Sequence, residues 1–200
     1  MDTPNRNDYR PQTGDALLIV DVQNDFLPGG SLAVPHGDEV LPVLNGYLRI
    51  FIERNLPVYA TRDWHPRNHC SFSAQGGIWP PHCVAGSHGA EYAAALQLPD
   101  SAVIVSKAVT AEQEAYSGFE GTDLDRQLRV ANILRLFIGG LATDYCVLRT
   151  VRDALRLGYQ VLLLADAVRP VDVHPGDGLR AEEEMVKLDA QRIFLKDVAA

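Results

Sequence analysis

What most constrains this chain is a rhythm: short, continuous runs of aliphatic and branched residues alternate with longer stretches whose apolar residues recur at helical spacing. Ala16–Val20, Pro57–Thr61, Ala102–Val105, Ile133–Ile138, Gln160–Leu164 and Ile193–Leu195 read as strands. A strand that is apolar at nearly every position has no face left for water, so it belongs in a sheet covered on both sides. Between the strands, Val40, Leu41, Leu44, Leu48, Phe51 and Ile52 fall on one helical face, with Asp38 as the expected N-cap. Further helices are expected over Asp123–Ala131, around Val147, Val151, Ala154 and Leu155, and over Leu179–Leu188, opened by Asp177 or Gly178. Alternating β and α elements with right-handed crossovers predict an α/β fold. It is a doubly wound, mostly parallel six-stranded Rossmann-like sheet with helices on both faces.

Composition excludes several other classes. With 46% hydrophobic and 22% charged residues, the chain can bury a core and does not read as disordered. Its apolar runs are strand-sized, well short of the roughly 20 residues of a membrane helix, so no membrane partner is expected. The formal net charge is −8 and no Lys/Arg cluster stands out, which argues against nucleic acid. Residues 1–14 are a polar lead-in with no apolar core to suggest a secretory signal; residues 15–200 read as a single domain. Three cysteines, Cys70, Cys83 and Cys146, fit a reducing cytoplasm better than a disulfide scaffold. The stretch from Pro66 to Ala93, rich in Gly, Pro, His and Cys, breaks the rhythm, and a long irregular insertion in a compact domain is usually functional.

Ligands of open parallel sheets bind outside the carboxyl ends of the strands, so the residues that follow each strand matter most. The first strand runs into Asp21, the second into Arg62-Asp63-Trp64-His65, the third into Ser106-Lys107, and the fourth through Gly139-Gly140 to Cys146. An acid, a metal-like pair, a lysine and a cysteine thus converge on one edge. Singly, each has a plainer reading: a turn residue for Asp21, a solvated amine for Lys107, a small buried hydrophobe for Cys146. Asp166 reads as a structural turn residue, and His36, His88 and His174 as loop histidines.

Cys146 is the most specific of these. It follows a glycine-rich turn and falls in the first turn of a helix, with Thr143 as the expected N-cap. The helix dipole and a nearby lysine are expected to lower its thiol pKa, and the first-turn N–H groups can receive an oxyanion. Asp63 and His65 are two apart in an extended segment and so face the same way, where they can share a cation. His69 and His82 follow in the insertion. Three N/O ligands with open positions make a catalytic metal site; the competing arrangement is a closed structural zinc recruiting Cys70 and Cys83 beside His69 and His82. A nucleotide-binding module on the same sheet requires a glycine-rich phosphate loop after the first strand, but Asp21-Val22-Gln23-Asn24-Asp25 is acidic and repels phosphate.

In these residues the chain resembles the nicotinamidase/pyrazinamidase branch of the isochorismatase-like cysteine hydrolases. The resemblance runs from about Ala16 to about Leu195 through six ordered motifs: ALLIVDVQNDFLPGGSLAV, TRDWHPRNH, WPPHCVAGSHGAE, VSKA, EAYSGFEGTDL and GLATDYCV. It implies a triad of Cys146, Asp21 and Lys107. It implies metal ligands at Asp63, His65 and His82, with His69 as a further candidate, and one divalent ion, zinc first, with iron or manganese also suited to such donors. It implies an oxyanion hole of the Ala142 and Cys146 N–H groups with a cis peptide beside Ala142. It also implies a substrate pocket of Phe26, Trp79, Tyr116 and Leu141. The expected activity is hydrolysis of nicotinamide, and of pyrazinamide, in a monomer or homo-oligomer. Related carbamoyl-amide hydrolases keep the triad without the Asp-x-His motif, and isochorismatases proper lack the cysteine.

Overall fold

In the computed structural model, which describes residues 9–198, strand β1 (Asp15–Val20) is buried along its whole length. Its alternate residues serve two cores. Leu17 and Ile19 pack with helix α1 (Val40–Glu53), whereas Ala16, Leu18 and Val20 pack with α2 (Leu124–Val130), α3 (Leu148–Arg156) and α4 (Asp177–Lys187). This two-sided demand is the reason for its unbroken apolar run. The other strands are β2 (Val58–Asp63), β3 (Val103–Lys107), β4 (Arg135–Leu141), β5 (Gln160–Arg169) and β6 (Gln191–Ile193). All neighbours pair parallel, in the order β3-β2-β1-β4-β5-β6. The expected doubly wound sheet is therefore present, and entirely parallel among the described residues.

This order reverses direction between β1 and β4, the switch point where ligands of such sheets bind. Asp21 follows β1 and Cys146 follows β4, so the topology alone sets them on either side of that crevice.

Several expected boundaries shift. The last strand ends at Ile193 rather than Leu195, because the Leu195 N–H donates to Asp166 Oδ2 (2.8 Å) and the Phe194 N–H to Asp197 Oδ2 (2.8 Å). These bonds draw the chain off the sheet and start a short helix α5 (Leu195–Val198). Asp166 is accordingly a structural residue, but it lies within β5, which continues to Arg169, and not in a turn; its Oδ1 also accepts from the Tyr47 hydroxyl (3.1 Å). Asp38 does not cap α1. It lies in a 3-10 turn, Gly37–Glu39, that leads straight into the helix, and no side-chain cap bond forms. No helix of the described residues is long and apolar enough to cross a membrane.

Candidate active site

β1 ends in a sharp exit: Asp21 takes a left-handed backbone (φ 49°) and its N–H is held by Thr61 O (3.2 Å). The side chain is fully buried. Its Oδ1 accepts from the Thr61 hydroxyl (2.7 Å), and its Oδ2 lies 3.0 Å from Lys107 Nζ. Lys107 closes β3, opposite Asp63 at the end of β2. Its ammonium, also fully buried, donates in addition to Asp63 Oδ1 and to Ala115 O (3.1 Å), and stands 3.5 Å from Cys146 Sγ. A carboxylate oxygen of Asp21, one of Asp63 and the Cys146 sulfur all lie within 4.8 Å of one another. The three strand ends have thus delivered the expected acid, lysine and thiol to one point.

The turn bearing Cys146 differs from expectation. Thr143–Val147 forms a π-helical turn, with the Val147 N–H donating to Ala142 O (3.1 Å). Ala142 occupies the flanking position, the Leu141–Ala142 peptide is cis, and Thr143 makes no capping bond. The buried Thr143 hydroxyl has no hydrogen-bond partner among the described residues. Single π turns recur at functional sites, and the N–H groups opening such a turn have no acceptor one turn back.

Nor is the thiol pKa lowered. Burial raises it well above the ordinary cysteine value; Lys107 opposes, but the Asp21 and Asp63 carboxylates add to the burial. Burial likewise raises the Asp21 carboxyl despite Lys107 and the Thr61 bond. The lysine answers the other way. Burial alone would lower it, but Asp21 and Asp63 outweigh burial and keep it charged. At Asp63 burial is again opposed, above all by Lys107, and there the carboxyl ends below its usual range. The site is therefore one buried cation between two unlike carboxyls, with a protonated thiol alongside.

The second cluster is built by the insertion. His65 continues the line of β2, donating its N–H to Cys83 O (3.0 Å) and accepting from the Ala85 N–H (2.8 Å). This short pairing sets His82 beside His65, with ring centroids 4.8 Å apart. Asp63, His65 and His82 offer ligand atoms within 4.8 Å of one another, all three residues buried. The donor chemistry fits a divalent cation. His65 Nδ1 faces Ala108 O (3.4 Å) and His82 Nδ1 faces Pro80 O (2.8 Å). A carbonyl only accepts, so both Nδ1 atoms carry the proton and both Nε2 atoms offer lone pairs. Among the described residues His65 Nε2 is buried without a hydrogen-bond partner, and it points at Asp63 Oδ2, 3.6 Å away. A lone pair facing a carboxylate is repulsive unless a cation lies between them. Burial also lowers the His82 pKa, which favours the neutral ligand form.

His69 is placed differently. Its Nε2 donates to Gln113 O (3.1 Å) and its Nδ1 accepts from the Ser71 hydroxyl (2.8 Å), so both nitrogens are engaged although the ring lies 4.1 Å from that of His65. The closed zinc alternative is not formed: Cys70 and Cys83 join no cluster of ligand atoms among the described residues. His36, His88 and His174 are exposed and lie beside Glu39, Glu91 and Asp177, with His88 opening a 3-10 turn rather than lying in a loop.

Both clusters border one small cavity, through Cys146 on one side and Asp63 and His82 on the other. Phe26, Trp79, Tyr116, Asp63, His82, Ala142 and Cys146 line it, as do Tyr145 and Val171, which sequence reasoning missed. Trp79 Nε1 donates to the Tyr116 hydroxyl (3.0 Å), and the Tyr145 ring packs on both. Tyr145 was open to detection as the neighbour of the nucleophile; Val171 lies far along the chain and carries no signal. Leu141 is fully buried in the core with α1, and its neighbour Ala142 lines the cavity in its place.

The family model for the isochorismatase domain matches residues 15–177, and the chain belongs to that family. Among curated relatives it is 40% identical to the nicotinamidase of Escherichia coli (strain K12), over 91% of this chain and 95% of that one. Among solved structures, the pyrazinamidase of Pyrococcus horikoshii in complex with zinc is 49% identical, with a TM-score of 0.87, over 90% of this chain and 99% of that one. The L. infantum protein PnC1 in complex with nicotinate is 34% identical, with a TM-score of 0.86, over 94% and 96%.

Proposed function

We propose that the protein is a metal-containing amidohydrolase that converts nicotinamide to nicotinate and ammonia, and pyrazinamide to pyrazinoate, through a thioester on Cys146. The carrying observation is Lys107, whose ammonium joins Asp21 and Cys146 on one side to Asp63 of the ligand cluster on the other. Nucleophile, base and cation-binding set thus share one small aromatic-walled cavity. The nicotinamidase and pyrazinamidase relatives support the substrate.

The Cys146 proton passes to Asp21 as the sulfur attacks the carboxamide carbon. The transfer moves negative charge from one neighbour of Lys107 to another, so the buried ammonium compensates throughout. Burial raises the Asp21 carboxyl, which makes its carboxylate a stronger base than an exposed one for the Cys146 proton. The oxyanion is received by the Ala142 and Cys146 N–H groups, and losing one such donor commonly costs about 3–4 kcal/mol. The C–N bond breaks as Asp21 returns the proton to the departing ammonia. Water then gives a proton to Asp21 and attacks the thioester; the C–S bond breaks, the sulfur regains a proton, and nicotinate leaves.

Phe26, Trp79 and Tyr116 pack the flat ring, with Leu141 backing the wall behind Ala142. Asp63, His65 and His82 would hold one divalent cation, which when bound would supply an electrophilic coordination point for a lone pair such as that of the ring nitrogen. Zinc is the favoured ion, since a two-histidine, one-carboxylate set with open coordination is a catalytic zinc pattern. His69 supports the cluster from beside His65. Nicotinate as product places the reaction in NAD salvage, and three free cysteines suit a cytoplasmic enzyme.

The test is ammonia release from nicotinamide, pyrazinamide and aliphatic amides by wild type and Cys146→Ala, before and after chelation. Activity on nicotinamide, abolished by the substitution and lost on metal removal, is expected. A wild type inactive on nicotinamide but active on aliphatic amides would move the substrate; equal rates in the two proteins would refute the nucleophile.

A further inference from the structure

We infer that the loop after β1 positions the cation-binding residues: Gln23 fixes the main chain of Asp63, and Asp25 fixes that of Cys83, the residue next to His82. The inference rests on reading Asp63, His65 and His82 as metal ligands.

β1 stops pairing with β2 one step short of the place where Asp63 needs support. Val20 pairs with Thr61, the Asp21 N–H reaches Thr61 O, and the chain then turns away through the left-handed Asp21. On its other side Asp63 is paired with Lys107. The side facing β1 is completed by a side chain. Gln23 is fully buried; its Oε1 accepts from the Asp63 N–H (2.8 Å) and its Nε2 donates to Asp63 O (2.8 Å). One carboxamide thus binds both main-chain groups of a single residue, standing in for a peptide unit of the missing strand. The second Nε2 hydrogen goes to Ala90 O (2.9 Å), in the insertion that carries His82. The bond pattern also settles which end of the amide is which, since two carbonyls cannot share an acceptor.

Asp25 acts on the other ligand. Its Oδ2 accepts from the Cys83 N–H (2.7 Å) and its Oδ1 from the Ser31 N–H (3.2 Å). Cys83 has a left-handed backbone (φ 45°), so the bond holds a strained residue immediately after His82. Gly89 approaches the same carboxylate so closely that a Cβ there would lie 2.0 Å from Oδ2. The two strands of the cluster, β2 and the insertion, therefore meet on one loop. Neither residue lines the cavity; both are positioning residues.

Outer partners of this kind typically change metal affinity by about 10–100-fold when removed. The test measures zinc retention against a competing chelator for wild type, Gln23→Met, Gln23→Glu and Asp25→Asn, with thermal unfolding, KM and kcat read at trace and at excess zinc. Methionine keeps the volume and loses every bond. Glutamate can accept from Asp63 but leaves two buried carbonyls without a donor. Asparagine at half-buried Asp25 keeps the size and loses one of two acceptors. The expected result is zinc held about 10–100-fold more weakly by Gln23→Met and Gln23→Glu, and less weakened in Asp25→Asn. KM should rise at trace zinc, and activity should return when zinc is in excess. Rescue by zinc is what a merely structural role would not give. A folded Gln23 variant that holds zinc like wild type overturns the inference, as does activity that zinc does not restore. If neither Gln23 variant folds, wild-type zinc affinity in Asp25→Asn overturns it. A wild type that binds no divalent metal overturns the underlying ligand reading instead.

Discussion

The Lys107 ammonium stands 3.5 Å from the Cys146 sulfur, inside a shell where no other charged nitrogen is bonded to Asp21 or Asp63 among the described residues. Its loss leaves two buried carboxylates facing each other beside a developing thiolate. Lys107→Met is therefore expected to lower kcat/KM by at least about 100-fold. It should also cost about 3–5 kcal/mol of stability at neutral pH, as breaking a buried ion pair does. Urea unfolding and steady-state kinetics on the same preparation check both. A variant as stable as wild type would mean that Asp21 and Asp63 shed their charge without the lysine.

Cys146 should be a slow nucleophile toward reagents that lack a route to Asp21. Burial above all raises its pKa, with Asp21 and Asp63 adding and Lys107 opposing. A raised pKa means little thiolate at neutral pH and more as pH rises. Alkylation of Cys146 by iodoacetamide should climb steadily from about pH 6 to about pH 9, with no plateau near neutrality, since even an ordinary thiol titrates near 8.5. Cys146→Ala identifies the background from Cys70 and Cys83. A plateau already reached below about pH 7 would show a preformed thiolate and contradict this account.

Val171 closes the cavity from the loop after β5, and a single carboxylate holds it there. Asp144 Oδ1 accepts from the Val171 N–H (2.9 Å) and Oδ2 from the Asp172 N–H (2.9 Å). Because Asp144 lies in the same turn as the nucleophile, it ties the wall to the reacting group. Asp144→Ala frees the wall and leaves Asp21, Lys107 and Cys146 in place. KM should rise roughly tenfold, the equivalent of one charge-assisted hydrogen bond, with kcat changed much less. A fall in kcat at constant KM would assign Asp144 to the chemistry instead.

How much of this was legible follows from where each signal sits. The sheet was legible because burial on both faces leaves Ala16–Val20 no polar position and the other strands are largely apolar, and the strand ends then named Asp21, Lys107 and Cys146. Asp63 and His65 were legible through a period of two. The thiol pKa was misjudged because the dipole and the lysine are visible locally, whereas burial and the approach of two carboxylates arise only on folding. Thr143 looked like a cap, but capping needs the helix to open there, and the π turn opens at Ala142. His69 looked like a ligand until Gln113 and Ser71 took both its nitrogens. Val171 and the last strand boundary depend on bonds to Asp144 and Asp166 across long stretches of chain, which no local pattern records.

The crevice itself depends on how closely β1 and β4 approach. Gly140 pairs with Val20 at a backbone φ of +128°, and a Cβ there would lie 2.1 Å from Val20 O. That oxygen belongs to the peptide leading into Asp21, and Gly140 leads through Leu141 to Ala142, so any relief of the overlap moves base and oxyanion groups apart. Gly140→Ala should lose stability from the backbone conformation alone by about 1–3 kcal/mol, with the overlap adding to it, and lose activity in whatever fraction folds. Gly158→Ala provides the control: it also has positive φ (92°) but meets nothing within 4 Å among the described residues, so it should cost only about 1–2 kcal/mol and leave kcat intact. The difference between the two urea midpoints measures the overlap. Equal losses, with equal activity, would mean that the two strands can separate without disturbing Asp21 and Cys146.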